Sequence, residues 1–157
     1  MIKPYSIQHR HLTLFIIVCS VIAFIPLLKN GFVAWDDMDY VVNNPLIQII
    51  SFTNIRYIFS NYFLGNYHPF ALLSLAIDYQ LFGLNPAGYH FHNFLLHLIN
   101  SILIYYLFYQ LFKGKIIAFF VAFLFCIHPL HVESVAWISE RKDLLYVFYY
   151  LLSLLTD

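Results

Sequence analysis

Two long apolar runs, separated by some sixty residues of mixed character, organise this chain. Residues 12–28 (LTLFIIVCSVIAFIPLL) hold 17 positions without a charge, close to the roughly 20 residues a helix needs to cross a bilayer. Residues 89–112 (YHFHNFLLHLINSILIYYLFYQLF) form the second run. Its 24 positions, at about 1.5 Å each, reach about 36 Å and cross with some tilt. Asn85 and Pro86 supply an N-cap and a first-turn proline, and Gly114 supplies a stop. A third run, 116–135, is interrupted at His128 and Pro129, after only about 20 Å of helix. Either the helix continues past Pro129 to Val135, or His128 and Glu133 sit partly sunk in the membrane beside a cavity that tolerates them. The polar stretch SERKD at 139–143 follows. A fourth helix opens over 142–157, and its twelve mostly apolar residues, 144–155, cover about 18 Å. The chain therefore reads as the N-terminal part of something longer, with further helices to follow.

Residues 29–88 are far from hydrophilic. Asn44 and Pro45 open one short helix, and Ser51 caps another that sets Phe52, Ile55 and Phe59 on one face with Arg56 opposite. A third runs over 69–82 and ends at Gly83; at about 21 Å it is too short to span. These read as amphipathic juxtamembrane helices lying in the interface. Lys113 and Lys115 mark the end of the second run as cytoplasmic, and Lys3 and Arg10 do the same for the N-terminus. The acidic loop is then external. The alternative, that 70–84 crosses, buries Asp78 in the bilayer and puts Lys113 and Lys115 outside, against the charge rule. The expected fold is an all-α integral membrane protein of three to four transmembrane helices.

Composition agrees. The chain is 62% hydrophobic and 10% charged, against roughly 25% charged for a soluble domain. Net charge is zero, so nothing points to nucleic acid. Cys19 and Cys126 lie inside apolar runs, where they read as packing residues rather than a disulfide. The basic start precedes no small-residue cleavage site, which favours an uncleaved signal anchor.

The candidate chemistry gathers on the external side. Asp36, Asp37 and Asp39 follow the first run. They could hold a divalent cation, supply a general base for a hydroxyl, or simply solvate a loop. His128, His131 and Glu133 resemble a metal triad in spacing, but Glu133 lies about 200° from His131 on a regular helix. A proton-handling or phosphate-contacting histidine is the other reading. Arg141 and Lys142 on the outside need partners: a lipid phosphate, a loop carboxylate, or a structural salt bridge that Asp143 would share. His90, Asn93, His97, Asn100 and Ser101 fall within an arc of about 100°. Such a stripe faces either other helices, through hydrogen bonds, or a wet cavity.

Three ordered segments carry a family likeness: FVAWDDMDYVVNNPLI, NYHPFALLSLAIDYQLFGLNPAGYHFHNFLLHLINSILIYYL and HPLHVESVAWISERKDLL. Together they resemble the N-terminal membrane module of transmembrane-and-tetratricopeptide O-mannosyltransferases and their bacterial relatives, of the GT-C class. The likeness runs from Phe32 onward. It implies a partial GT-C fold and sugar transfer from a polyprenyl-phosphate-linked donor to a protein acceptor, in the bacterial inner membrane or the endoplasmic reticulum. It also implies a base role for Asp36 in preference to Asp37, with Glu133 orienting a histidine or the acceptor. His128, His131, Arg141, Lys142 and Asp143 would serve the donor phosphate and its surroundings. No cofactor is required, and the cation at Asp36, Asp37 and Asp39 stays an alternative. A non-catalytic membrane scaffold and a transporter whose His/Asn stripe lines a pathway are the competing readings.

Overall fold

The computed structural model describes residues 8–156, and these are helical with no strand. Lys3, part of the basic N-terminal flank, and Asp157, at the end of the fourth expected helix, lie outside the described residues. Helix α1 (His9–Phe24) continues as a tight 3-10 segment, Ile25–Lys29, where Pro26 interrupts the regular hydrogen bonding. A wide π-helical turn, Met38–Val42, follows the acidic pair. Then come α2 (Pro45–Gln48), α3 (Phe52–Ser60), α4 (Pro69–Phe82) and the 27-residue α5 (Pro86–Phe112). Helices α6 (Lys115–Ile127) and α7 (His131–Ala136) precede a 3-10 turn, Ile138–Glu140, and α8 (Arg141–Thr156).

The expected caps form. Asn44, Ser51 and Asn85 accept backbone N–H groups of Leu46, Asn54 and Ala87, each satisfying an orphan donor of a helix start. The stop after α5 falls one residue earlier than expected: Lys113, not Gly114, takes the left-handed conformation, at φ 54°. The third apolar run is two helices. Pro129 has no N–H to give and disfavours helical geometry at His128, which is extended. Helix α3 buries Ile58 and leaves Phe52 81% exposed, so its Phe52 edge turns away from the protein.

Helix α5 is the central post, packed by α1, α4, α6 and α8. Its polar stripe is the glue. Asn100 donates to the Leu144 carbonyl at 2.9 Å, and His97 Nε2 to that of Cys126 at 2.9 Å. Ser101 donates back to His97. These bonds decide the stripe in favour of interhelical hydrogen bonding. On α6 the small side chains Ala118, Ala122 and Cys126 face inward at four-residue spacing, while Ile116, Phe120 and Leu124 face out. On α1 the buried side is Leu12, Ile16 and Ser20, and Leu14, Phe15, Val18 and Ile22 are exposed. Small residues inward and large apolar residues outward suit a helix in lipid. In water that surface would be an unusually large apolar patch. Two helical stretches, His9–Lys29 and Pro86–Phe112, are long and apolar enough to cross a bilayer, which supports a membrane location. Helices α4 and α6, at 14 and 13 residues, are shorter.

Candidate functional site

Asp36 and Asp37 occupy a single helical turn leading into Met38–Val42, and their fates differ. Asp37 is fully buried. Its Oδ2 accepts the Val33 N–H at 2.9 Å, and its Oδ1 accepts both the N–H and the Oγ–H of Ser139, at 2.9 and 2.8 Å. The acidic loop is thereby pinned to the turn before α8. Asp36, next to it, stays partly exposed, and Asp39 is exposed. Among the described residues no three His, Cys, Asp or Glu side chains converge as a metal-ligand set. Asp36, Asp37 and Asp39 are thus not brought together around one point, and neither are His128, His131 and Glu133.

Arg141 is also fully buried. Its guanidinium pairs with Asp78 of α4, donates from Nε to Asn93 Oδ1 at 2.7 Å, and donates to the Tyr89 carbonyl at 3.1 Å. His92 Nδ1–H donates to the other oxygen of Asp78 at 2.6 Å. Asn93 in turn donates to the Trp137 carbonyl at 3.2 Å. Arg141 therefore has the structural salt bridge, but its partner comes from α4 rather than from the acidic loop. A buried carboxylate and guanidinium need this many partners because desolvating either alone is costly.

The remaining candidates divide between two open grooves. One, of about 620 Å³, lies between Lys29–Trp35 and α7 and holds Glu133. Trp35 and Trp137 stand together there, ring centroids 5.9 Å apart. The other, of about 520 Å³, is walled by Tyr67, Tyr146 and Tyr149 with His68, Lys142 and Asp143. Lys142 donates to Glu140 at 2.9 Å. Burial, followed by the positive charge of Lys142, holds His68 below its ordinary pKa of 6.5. His131 belongs to neither groove: its ring packs 4.3 Å from Phe125 and 5.7 Å from His97. His128 is exposed, and its Nδ1 accepts the Leu130 N–H at 3.2 Å.

Several residues that build the site carried no spacing signal. Ser139 is 102 positions from Asp37, and neither tryptophan announces its partner. Asp78 did leave a trace, as a lone carboxylate in an apolar helix. Lys29, in the first groove, could be read only as the end of an apolar run.

Comparison with known proteins supplies a relationship. The chain is 36% identical over 82% of its length to protein O-mannosyl-transferase TMTC1 of Mus musculus, of which it covers 15%. It is 32% identical over 90% of its length to protein O-mannosyl-transferase F38B6.6 of Caenorhabditis elegans, covering 22% of that protein. With protein O-mannosyl-transferase TMTC3 of Mus musculus it shares 28% identity over 98% of its length. No family model matches the chain, and no solved structure does. The chain spans only 15% to 22% of the length of these relatives. Over most of its own length, it is related to the TMTC protein O-mannosyl-transferases.

Proposed function

We propose that this chain is part of a membrane glycosyltransferase of the GT-C class. The complete protein moves a mannose-type sugar from a polyprenyl-phosphate donor to a protein hydroxyl. The observation that carries this reading is the division within the acidic pair. Asp37 spends both carboxylate oxygens on Val33 and Ser139, which holds the partly exposed Asp36 on a rigid turn. A general base needs a lone pair within reach of the acceptor and a fixed position.

In the proposed step the acceptor hydroxyl gives its proton to Asp36 as its oxygen bonds to the anomeric carbon. The bond from that carbon to the phosphate oxygen breaks, and its electron pair leaves with the lipid phosphate. Attack from the face opposite the leaving group inverts the centre. Glu133, in the first groove, accepts hydrogen bonds from the acceptor or the sugar. The second groove, with its tyrosine walls beside Lys142 and Asp143, takes the acceptor chain beyond its reacting hydroxyl. Arg141 acts as a positioning residue: through Asn93 and Asp78 it joins α4, α5 and the turn that carries Ser139. His128 and His131 shape the end of α6.

The test is Asp36→Asn in the full-length protein, with transfer measured from a polyprenyl-phosphate mannose donor. The expected outcome is a loss of about 10²–10⁴-fold with expression and membrane insertion intact. Transfer near the wild-type rate would refute the base assignment. If Asp36→Asn and Glu133→Gln disturb only the assembly of a complex, the scaffold reading takes its place.

A further inference from the structure

The two cations that the family likeness assigns to the donor phosphate, Arg141 and Lys142, are badly placed to meet one. Arg141 is enclosed against Asp78. Lys142 is engaged by Glu140, and Asp143 lines the same groove, so an anion arriving there meets two carboxylates and one ammonium. The other described cations at this end are Arg56 and Lys29, and Arg56 lies on the exposed side of α3, outside both grooves.

Lys29 differs from all three. It closes the membrane-length stretch His9–Lys29 and lines the groove of about 620 Å³. Among the described residues, no carboxylate lies within ion-pair distance of it. In the same groove wall, the indole Nε1–H of Trp137 is buried with no hydrogen-bond partner. Ammonium and indole are donors only, and a buried donor without an acceptor is rare enough to point to a missing group. Lys29 is exposed to solvent and free of a carboxylate, and the Trp137 Nε1–H has no acceptor, so this groove offers an oxyanion one available cation and one spare donor.

We infer that Lys29, assisted by the Trp137 indole, holds the phosphate of the lipid-linked donor in the groove between the end of the first helix and α7. The inference rests on the sugar-transfer reading for the nature of the lipid and adds the place where its charge is met. A lysine at the end of a membrane-length helix lays its stem along apolar surface and keeps its ammonium at head-group depth. There it pairs with phosphate through a charge-assisted hydrogen bond. The same ammonium meets the electron pair that the phosphate oxygen gains when the anomeric bond breaks. Glu133 repels the phosphate and accepts from hydroxyls, so the anion sits toward Lys29 and the sugar or acceptor toward Glu133. Asp36, directly after Trp35, is then at the rim of the groove that holds the leaving group.

Trp35 and Trp137 are the only tryptophans in the chain, so intrinsic fluorescence reports on this groove. The 157-residue chain in detergent is titrated with farnesyl phosphate, with farnesol and inorganic phosphate as controls. Equilibrium dialysis of radiolabelled farnesyl phosphate measures binding separately. The expected result is an emission change with farnesyl phosphate and none with either control at equal concentration. Lys29→Met weakens binding about tenfold, the size of one charge-assisted contact, while Lys29→Arg and Arg56→Met stay within about twofold. Binding to Lys29→Met within twofold of wild type overturns the inference. Loss in Lys142→Met with Lys29→Met unaffected also overturns it, moving the phosphate to the tyrosine groove and leaving the sugar-transfer reading intact. An equal response to inorganic phosphate overturns the lipid-linked source. Dialysis without any farnesyl phosphate binding to this chain overturns the inference, while the donor reading stands or falls on transfer by the full-length protein.

Discussion

Replacing Asp37 by alanine is the sharpest test of how the acidic pair is built. The carboxylate receives three donors, and their surroundings differ. Val33 is 41% exposed, so its N–H recovers a water at little cost. Ser139 is 3% exposed, and its N–H and Oγ–H lose their acceptor together. A buried unmatched donor costs about 1–3 kcal/mol. The hydroxyl can rotate toward another acceptor, but the backbone N–H cannot. With the cavity left by the side chain, the expected destabilisation is about 3–4 kcal/mol. Asp36→Ala, at a partly exposed position, should cost no more than about 0.5 kcal/mol. Ser139→Ala removes one bond to a charged group and should cost about 1.5–3 kcal/mol. The Asp37→Ala/Ser139→Ala double variant should lose about 1–2 kcal/mol less than the sum, because the two share a bond. Unfolding in mixed micelles titrated with dodecyl sulfate measures each value. If Asp37→Ala costs no more than Asp36→Ala, the proposed division of roles between the two aspartates is wrong.

Two further outcomes follow from the buried network. Arg141→Leu or Asp78→Leu alone strands a buried charge and should cost about 3–5 kcal/mol, whereas the double replacement should recover most of that loss; the same unfolding assay checks it, and additive losses would refute the pairing. At His68, the folded chain resists a proton that the unfolded chain accepts at its ordinary pKa of 6.5. Its contribution to stability is therefore complete above that value and is lost progressively as pH falls from it to the lower folded value. His68→Gln should shrink the fall in unfolding midpoint between about pH 7 and pH 5, and parallel pH profiles for the two proteins would refute this.

The buried pairs also tie together the elements around the candidate site. Asp37 ties the loop after the first helix to the turn before α8, and Arg141 ties that turn to α4 and α5. Both grooves take their walls from this frame, so a change at either anchor should be felt in both. Such ties would keep the groups of the proposed site in register.

Much of the helical layout was legible in the chain itself. The start of α4 at Pro69, the caps at Asn44, Ser51 and Asn85, and the interruption at Pro129 are all short-range consequences of side-chain chemistry acting on the nearest turn. The need of Arg141 for a buried or anionic partner was legible too, because a guanidinium beside an apolar helix has few other options. The identity of that partner was not. Asp78, Asn93 and Ser139 reach their partners only after α4, α5 and α8 have packed, and nothing in the order of residues selects Asp78 over Asp36 or Asp39. That Lys29 and Trp137 line one groove was invisible for the same reason. Periodicity and capping act over one or two turns and can be read locally. The pairing of polar groups 50 to 100 positions apart depends on which helix faces meet, and apolar faces of similar composition do not specify that until side-chain packing does.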